Sequence, residues 1–465
     1  MQTLDRLIAA SPWWQDPDWE RTDRSLRQVA ATGIHFRHLD LEATRASHLL
    51  PGSVSIIRGP RQVGKTTELK MLARDLLAAG VAPRHIAYYS CDDLIHFREL
   101  LALVKAFTES LRWSKADGFL LLDGISAVKN WPRAIKALAD AGELDTVAVL
   151  LTGSSALEIK RGYERMPGRR GAGFDKAFLP MSFADFCKAL GTMAPSARLG
   201  AVVADEALFR DFQMETSLKK DALARLLDLY LPWGGFPRAV ADLARDKTVT
   251  TETLDIYRSV VLSEFEKQRR QAPLLLGLLR KLYGVLGSPV SYHGLTQDTG
   301  CSTGAVVQDY LAIASAAFLG FEVPCIDLDR RRPYPKRGKK FYAVDPMIWQ
   351  VTARGAGLAP LATSVLAEQA VATHLIRCRA DDWASLGFLE GLYYYRSRKA
   401  TRLTSYCFRR QTSDPSGWRS SIRAGSPVGT SRASTRESAR ASWSRPIPTS
   451  GARRCAICPC GRFSC

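Results

Sequence analysis

The stretch from Gly59 to Thr66 constrains this chain more than any other, because it fits the pattern G-x-x-x-x-G-K-[ST] without a mismatch. A short apolar run, residues 54 to 58, precedes it, and residues 66 to 79 follow with apolar side chains at helical spacing. This order of strand, loop and helix is the setting in which the pattern binds nucleotide phosphates. We therefore expect a phosphate-binding loop whose ligands are ATP and Mg²⁺.

Each residue type in the loop suits that chemistry. Glycines let the backbone approach the phosphates closely, while backbone amides and the start of the helix supply partial positive charge. Lys65 is predicted to reach the β and γ phosphates, and Thr66 to offer its hydroxyl to Mg²⁺. The predicted nucleotide-binding residues are Gly59, Pro60, Arg61, Gln62, Val63, Gly64, Lys65, Thr66 and Thr67.

The second ligand of Mg²⁺ is expected at the end of a buried strand beside the loop. The run Phe119 to Leu122 is apolar and ends at Asp123, which is predicted to hold Mg²⁺ through water; the alternative is that Asp123 only caps a turn. ATPases of this type usually carry glutamate next, to orient the attacking water, whereas this chain has Gly124. Binding is expected to survive, but slow or absent hydrolysis is expected.

Further polar groups follow a fourth apolar run. Thr152 and Ser154 are candidate sensors of the γ phosphate, with a simple turn as the alternative. Arg169 and Arg170 are candidates to compensate phosphate charge or to act across a subunit interface, with ordinary surface arginines as the alternative. The predicted catalytic set is Lys65, Asp123, Thr152 and Arg169.

Strands predicted at 54–58, 85–90, 118–122 and 146–151 alternate with helical stretches, which indicates an α/β domain with a parallel sheet over residues 1–180. Residues 181–272 read as a helical lid or linker. Residues 273–348 read as a winged helix-turn-helix, with helices at 274–286, 292–299 and 303–316, strands at 321–327 and 341–344, and a basic turn between the strands. The basic residues of that turn are Arg330, Arg331, Arg332, Lys336, Arg337, Lys339 and Lys340.

The partner of this module stays open between nucleic acid and protein. The basic turn favours nucleic acid, but the helix at 303–316 contains no Arg or Lys, so it is a poor reader of DNA bases. The net charge of +19 is little help, since residues 401–465 supply about half of it with twelve Arg, no Lys, and two acids.

Composition excludes some classes. No apolar run approaches the roughly 20 residues that cross a bilayer, so a cytoplasmic protein is the default expectation. Cysteines 91, 187, 301, 325 and 378 are scattered among apolar neighbours and predict buried thiols. Cys455, Cys458 and Cys460 have a spacing that suggests zinc, but no His follows, and zinc is not expected.

Together these features resemble the bacterial and archaeal AAA-superfamily ATPases that carry a C-terminal restriction-endonuclease-like domain of unknown function. The resemblance covers residues 1 to about 399 and implies an AAA-type core, a helical segment, a winged helix and, over 349–399, the start of a nuclease-like fold; Gly124 departs from the family's Glu. The features that carry it are Gly59 to Thr67, the strand ending at Asp123, Trp131 with Lys136 and Leu138, Thr152 to Ser155, Gly168-Arg169, Leu179 to Phe183, Gly234 to Pro237, and Lys340 to Pro346.

Residues 400–465 read as a disordered, out-of-frame tail. Periodicity stops after Lys399, and Arg, Ser, Pro and Gly dominate together with two Trp and five Cys, a mixture typical of a GC-rich gene read in a shifted frame. Ala400 to Ser405 can be encoded so that the neighbouring frame reads Gly-Asp-Glu-Val-Asp-Phe, and 417–422 so that it reads Val-Glu-Val-Lys-Tyr. With Glu368, these acids would complete the metal-binding set of a nuclease-like fold. As translated, Arg402 and Thr404 stand in their place, so no two-metal site can form.

Overall fold

The computed structural model describes residues 3–34, 48–112, 117–153, 168–191, 206–327, 329–330, 332–377 and 391–395, and the backbone of 396, 404–409 and 418–424. Its first part alternates helices and strands, as the sequence predicts for an α/β domain. In chain order the elements are α1 (Thr3–Ala10), α2 (Arg24–Thr32), β1 (Val54–Arg58), α3 (Lys65–Ala78), β2 (Ile86–Ser90), α4 (Phe97–Leu111), β3 (Gly118–Asp123), α5 (Trp131–Asp140), β4 (Val147–Gly153) and β5 (Asp175–Ala177).

These five strands form one parallel sheet in the order β2-β3-β4-β1-β5. Every residue of β1 and β4 is buried, as expected for central strands covered by helices on both faces. Because all strands run the same way, the residues that follow β1, β2, β3 and β4 lie along one edge. The loop after β1 therefore emerges beside Asp123, the last residue of β3.

The N-terminal segment closes an open edge of the sheet, which the sequence did not reveal. The outer strand β2 pairs only with β3, so its other side presents unpaired backbone groups. The Ser11 hydroxyl accepts a hydrogen bond from the Tyr88 amide at 2.9 Å, and the indole groups of Trp13 and Trp14 donate to the Ile86 carbonyl at 2.9 and 2.6 Å. Residues 11–14 thus satisfy that edge and protect it from pairing with another chain.

The predicted helical segment is helical where the structure describes it. It comprises α6 (Phe183–Ala189), α7 (Glu206–Leu218), α8 (Lys220–Trp233), α9 (Pro237–Asp246) and α10 (Thr251–Lys267). Ser182 and Thr250 cap α6 and α10 by accepting from backbone amides one turn ahead. The turn at Gly234-Gly235 separates α8 from α9 and contacts the side chain of Asp345.

The sequence predicts three helices and two strands in the following module, whereas its described residues form two of those helices and four short strands. Its elements are α11 (Ala272–Gly284), α12 (Gly304–Ala316), β6 (Gly320–Val323), β7 (Ile326–Asp327), β8 (Arg332–Pro333) and β9 (Lys340–Ala343). β6 pairs with β9 and β7 with β8, both antiparallel. Pro324 interrupts the single strand predicted over 321–327.

The helix predicted at 292–299 is a series of turns. The hydroxyl of Ser291 accepts from the Gly294 amide at 3.0 Å, and those of Thr296 and Thr299 donate to nearby carbonyls at 2.7 and 2.9 Å. These local bonds compete with the helical ones, and Gly294 adds conformational freedom, so the apolar spacing alone misled the prediction.

The last described elements are α13 (Met347–Ala356), α14 (Thr363–Arg377), β10 (Leu392–Arg396), β11 (Thr404–Arg409) and β12 (Trp418–Ala424). The three strands form an antiparallel sheet in chain order. The expectation of a disordered tail is therefore wrong for 404–409 and 418–424, because β11 pairs with β10 and β12 pairs with β11, which composition does not reveal. The remaining residues of 400–465 lie outside the described ones. Several residues named in the sequence analysis lie outside the described part of the chain: Cys378, Lys399, Cys455, Cys458 and Cys460.

No helix in the described part of the chain is both long and apolar enough to cross a membrane. Cys91, Cys187, Cys301 and Cys325 are buried thiols, as expected.

Candidate nucleotide-binding site

The loop between β1 and α3 has the backbone that phosphate binding requires. Gly59 has no room for a side chain, since a Cβ there would stand 2.0 Å from the Phe178 carbonyl oxygen. Gln62 and Gly64 adopt left-handed conformations, with φ of 61° and 102°. Gly64 is the residue from which α3 begins, so the amides of the first helical turn, including Thr67, point toward the loop.

Lys65 lies across the loop that carries it. Its ammonium donates to the carbonyls of Gly59 and Pro60 at 2.9 and 2.7 Å. Burial lowers the pKa of the Lys65 ammonium to about 8, although the carboxylates of Asp123 and Glu264 act in the opposite direction. The loop thus holds a lysine that is mostly charged at pH 7 and loses its proton as the pH rises through about 8.

Asp123 is the centre of a hydrogen-bonded cluster at the same edge of the sheet. The Thr66 hydroxyl donates to its Oδ2 at 2.5 Å, and the Tyr88 hydroxyl approaches the same oxygen at 3.3 Å. The Thr152 hydroxyl donates to its Oδ1. Burial, followed by the neighbouring Asp123 charge, raises the pKa of the Tyr88 phenol, so this group remains a donor. The structure brings Lys65, Thr66, Asp123 and Thr152 together.

Thr152 lies at the candidate phosphate site, as the sequence predicts, but its hydrogen bonds to Asp123 and Gly124 were not predicted. It is buried, and its hydroxyl also accepts from the Gly124 amide at 3.1 Å. These contacts fit a residue that positions Asp123 and the chain after it. Ser154, the other candidate sensor, lies outside the described residues.

Arg169 does not join this cluster, so the prediction that it compensates phosphate charge within the same chain is wrong, while its action across a subunit interface stays a prediction. Its Nε pairs with Asp140 at 2.5 Å, at the end of α5. The adjacent Arg170 carbonyl accepts from Val54, the first residue of β1, at 3.0 Å. The loop follows the last residue of β1, so these arginines lie at the opposite edge of the sheet, where Arg170 also pairs with Asp175. The Gly168-Arg169 motif does not indicate at which end of the parallel strands these residues lie.

The loop also contacts the helical segment through Arg61, a link that the sequence gave no means to find. The Arg61 Nε lies 2.6 Å from Glu264 Oε1 on α10, and the Glu264 side chain is buried. A cleft of about 790 Å³ opens between the loop and α10; its lining includes Arg61, Gln62, Thr251, Asp255 and Ser259. Arg61 and Glu264 are about two hundred positions apart in the sequence, so only the tertiary structure brings them together.

The residues present fit ATP and Mg²⁺. A glycine cradle without space for Cβ, a lysine on the loop, and a hydroxyl beside a carboxylate are the set that binds nucleotide phosphates with their metal. Gly59 to Thr67 would hold the phosphates, and Thr66 and Asp123 would hold Mg²⁺, which neutralises phosphate charge when bound. No cluster of three or more His, Cys, Asp or Glu side chains suited to a metal occurs among the described residues. Mg²⁺ in phosphate sites takes few protein ligands, so this finding does not argue against it.

The basic turn of the helix-turn-helix module, residues 330–340, is only partly exposed. Arg330, Arg332, Lys336 and Arg337 are exposed, whereas Arg331 lies outside the described residues. Lys339 stacks over the Tyr292 ring at 4.3 Å. Lys340 is buried, so counting it among the basic contact residues was wrong.

Glu368, the first acid of the expected nuclease-like set, has protein partners in this chain. Its Oε1 accepts from Lys340 Nζ and from the Tyr342 hydroxyl, both at 2.6 Å. Strand β9 presents these two side chains on the face that α14 covers. The carboxylate is therefore neutralised by a buried cation in the chain as translated.

Family models match two parts of the chain. Residues 52–187 match the model of an AAA domain, and residues 224–354 match a domain of unknown function (DUF8612). A search of curated proteins gives no match.

Solved structures are similar only loosely. The Walker-type ATPase PABY2304 of Pyrococcus abyssi is 12% identical, over 64% of this chain and 90% of that one, with a TM-score of 0.38. The Orc1 protein of Aeropyrum pernix, solved in complex with DNA, is 16% identical over 74% and 96%, with a TM-score of 0.27. Cdc6p of Pyrobaculum aerophilum is 11% identical over 65% and 88%, with a TM-score of 0.24. Scores this low carry no argument about what the chain does.

Proposed function

Starting from an AAA-type P-loop domain over residues 52–187, we propose that the protein binds ATP with Mg²⁺ and is an AAA-type ATPase. The observation that carries this proposal is the cluster at the sheet edge. Lys65 lies on a glycine cradle, and the Thr66 hydroxyl bonds to Asp123 at 2.5 Å. The start of α3 and the end of β3 are far apart in sequence. Their lysine, hydroxyl and carboxylate together form the set that binds a nucleotide phosphate with its metal.

Binding and turnover are tested on the full chain. We expect Mg²⁺-dependent binding of a fluorescent ATP analogue and release of phosphate from ATP, both abolished in Lys65→Ala. Lys105→Ala, which removes an exposed lysine of α4, is the matched control and should behave as wild type. Absence of nucleotide binding by wild type would overturn the proposal.

A scaffold that binds ATP without hydrolysing it is the alternative that Gly124 favours. Gly124 supplies no carboxylate to orient water, and its φ of 69° is one that side chains rarely adopt. The two functions separate in a single experiment, because a scaffold would bind ATP tightly and release no phosphate over many hours.

We propose further that nucleotide state is coupled to the helical and helix-turn-helix modules. Glu264 of α10 pairs with Arg61 of the loop, and the next residue, Phe265, stacks on Tyr310 of α12 with ring centroids 5.7 Å apart. Two successive residues of one helix therefore touch the phosphate loop and the module beyond it. We propose that this module is a winged helix whose partner is a nucleic acid or a protein.

The exposed basic turn favours nucleic acid as one partner. A protein that neutralises phosphates with Arg332, Lys336 and Arg337 loses affinity steeply as salt rises. We expect a DNA fragment to be retained at low salt, and the triple alanine variant at these positions to bind more weakly with a shallower salt dependence. Equal retention by wild type and variant would contradict this assignment.

A further inference from the structure

The position after Asp123, where the ATPases that this chain resembles carry glutamate, lies against an acidic side chain from the turn that follows β2. Gly124 has no side chain, so the space beside its Cα is open to a neighbouring group. A Cβ built there would lie 3.0 Å from Asp92 Oδ1 and 3.7 Å from Asp92 Cγ. The nearest neighbour of the missing side chain is thus a carboxylate.

That distance is the one a glutamate would span by itself. Ordinary bond lengths place the carboxylate oxygens of a glutamate roughly 3 to 4 Å from its own Cβ. Asp92 Oδ1 therefore lies as far from the 124 position as the oxygens of a glutamate at 124 would. The turn after β2 thus presents a carboxylate oxygen at the distance from the 124 Cβ that a glutamate at that position would give.

The sheet brings Asp92 to this place. Strands β2 and β3 pair in parallel with Ser90 opposite Asp123, so the residues after Ser90 and those after Asp123 emerge side by side. Asp92 belongs to the short 3-10 turn Cys91–Asp93 that follows β2. It lies on the same sheet edge as the phosphate loop.

Two adjacent acids in this turn have different surroundings. Asp93 accepts from Arg6 at 2.8 Å and from the Tyr89 hydroxyl at 2.7 Å, and so ties the turn to α1. The Asp92 Oδ2 accepts from the Ser90 hydroxyl at 3.3 Å, while Oδ1 faces Gly124. Asp92 is exposed, so water reaches it.

We propose that Asp92, in the turn after β2 of the same chain, is the catalytic carboxylate of ATP hydrolysis, in place of a glutamate after Asp123. This inference rests on the ATPase proposed above. Asp92 accepts a proton from water as the water oxygen forms a bond to the γ phosphorus. The bond between that phosphorus and the bridging oxygen of ADP breaks, ADP and phosphate leave, and the proton passes from Asp92 to solvent. Asp123, which accepts hydrogen bonds from Thr66 and Thr152, would hold Mg²⁺.

Asp92→Asn in the full chain tests the assignment, with Asp93→Asn as the matched control. Loss of a general base lowers rates about 10²- to 10⁴-fold. We expect phosphate release by Asp92→Asn to fall at least about a hundredfold, with the melting temperature and the affinity for a non-hydrolysable ATP analogue unchanged. Binding of ADP with aluminium fluoride, which mimics the transition state, should weaken in Asp92→Asn only.

Gly124→Glu in the full chain supplies the converse test. Its Cβ would meet the Asp92 carboxylate, and the φ of 69° at this position disfavours any side chain, so this variant should gain no turnover over wild type. A clear gain would show that the wild-type site lacks a working carboxylate and would overturn the assignment of Asp92.

The outcomes separate the two proposals. If wild type fails to bind ATP, the proposed function falls and Asp92 with it. If wild type binds ATP but releases no phosphate, nucleotide binding stands and Asp92 has no catalytic role. If Lys65→Ala abolishes turnover while Asp92→Asn retains turnover and aluminium fluoride binding within about twofold, the ATPase stands and the assignment of Asp92 is wrong.

Discussion

At the scale of single residues, the charge on Lys65 decides how the loop responds to pH. With a pKa lowered to about 8 by burial, the side chain is mostly charged at pH 7 and mostly neutral at pH 9. Phosphates bind the ammonium, so binding takes up a proton above pH 8. Affinity for MgATP should fall about tenfold from pH 7 to pH 9, as one titrating group dictates.

Nucleotide titrations at constant ionic strength and Mg²⁺ measure this dependence. Lys65→Arg keeps its charge throughout the range and should give a flat profile, whatever its absolute affinity. A wild-type affinity that is constant from pH 7 to pH 9 would show that the lysine is charged in the empty loop.

Thr152 offers a second test at this scale. Thr152→Val keeps the shape of the side chain but removes the hydroxyl that donates to Asp123 and accepts from Gly124. Leaving buried polar groups without a partner costs about 1 to 3 kcal/mol, so urea unfolding should show a loss of that size. A positioning residue predicts weaker Mg²⁺-dependent binding of ATP and ADP alike; a γ-phosphate sensor predicts a loss for ATP alone.

At the scale of elements, α10 connects the phosphate loop with the helix-turn-helix module. Glu264→Gln removes the charge that pairs with Arg61 but leaves Phe265 against Tyr310. We expect a non-hydrolysable ATP analogue to slow hydrogen exchange of α10 and α12 amides in wild type, and to slow only the loop amides in Glu264→Gln. Glu266→Gln, an exposed neighbour, is the control. Identical exchange in both variants would leave the coupling without support.

The junction between α8, α9 and β9 depends on one buried acid. Asp345 accepts from the Gly235 amide at 2.7 Å and the Met347 amide at 2.9 Å. Burial nevertheless raises its pKa from 3.8 to about 6, with the two amides acting in the opposite direction. The folded chain thus binds this proton more readily than the unfolded chain, and the stability it contributes is present below about pH 4 and lost as the pH rises through about 6.

Asp345→Asn cannot titrate, so its unfolding free energy shows what Asp345 adds. Wild type should gain on the variant by roughly 2 to 3 kcal/mol as the pH falls from 7 to 4, from a shift of about two pH units. Urea unfolding of both proteins at several pH values measures the difference. A difference that stays constant, or that grows as the pH rises, would contradict the assignment.

Sequence reasoning succeeded where the signal is local. The loop, Asp123 and four of the five strands follow from runs of apolar residues ending in fixed motifs. Strand β5 is only three residues long and carries no such run. Arg61 with Glu264, and Gly124 with Asp92, meet through the packing of elements distant in sequence, which periodicity cannot express.

At the scale of the whole molecule, the open question is whether residues beyond 399 belong to the natural reading frame. The chain forms a three-stranded antiparallel sheet of β10, β11 and β12. The shifted frame places Val-Asp-Phe over 403–405 and Val-Glu-Val-Lys-Tyr near 418–422, where β11 and β12 occur. Backbone pairing is thus available in either frame, and only the side chains differ.

We expect the source DNA to contain one additional base near the Lys399 codon. The restored frame would read Gly-Asp-Glu-Val-Asp-Phe and give strands with buried apolar residues and an acid pair, in place of Arg402 and Thr404. Such strands bury more apolar surface against β10, so the restored protein should melt at a higher temperature than the chain as translated. Sequencing decides the matter directly: an uninterrupted frame that encodes this translation would end the hypothesis. In that case β11 and β12 would be native strands, and deleting residues 400–465 should expose the edge of β10 and favour aggregation.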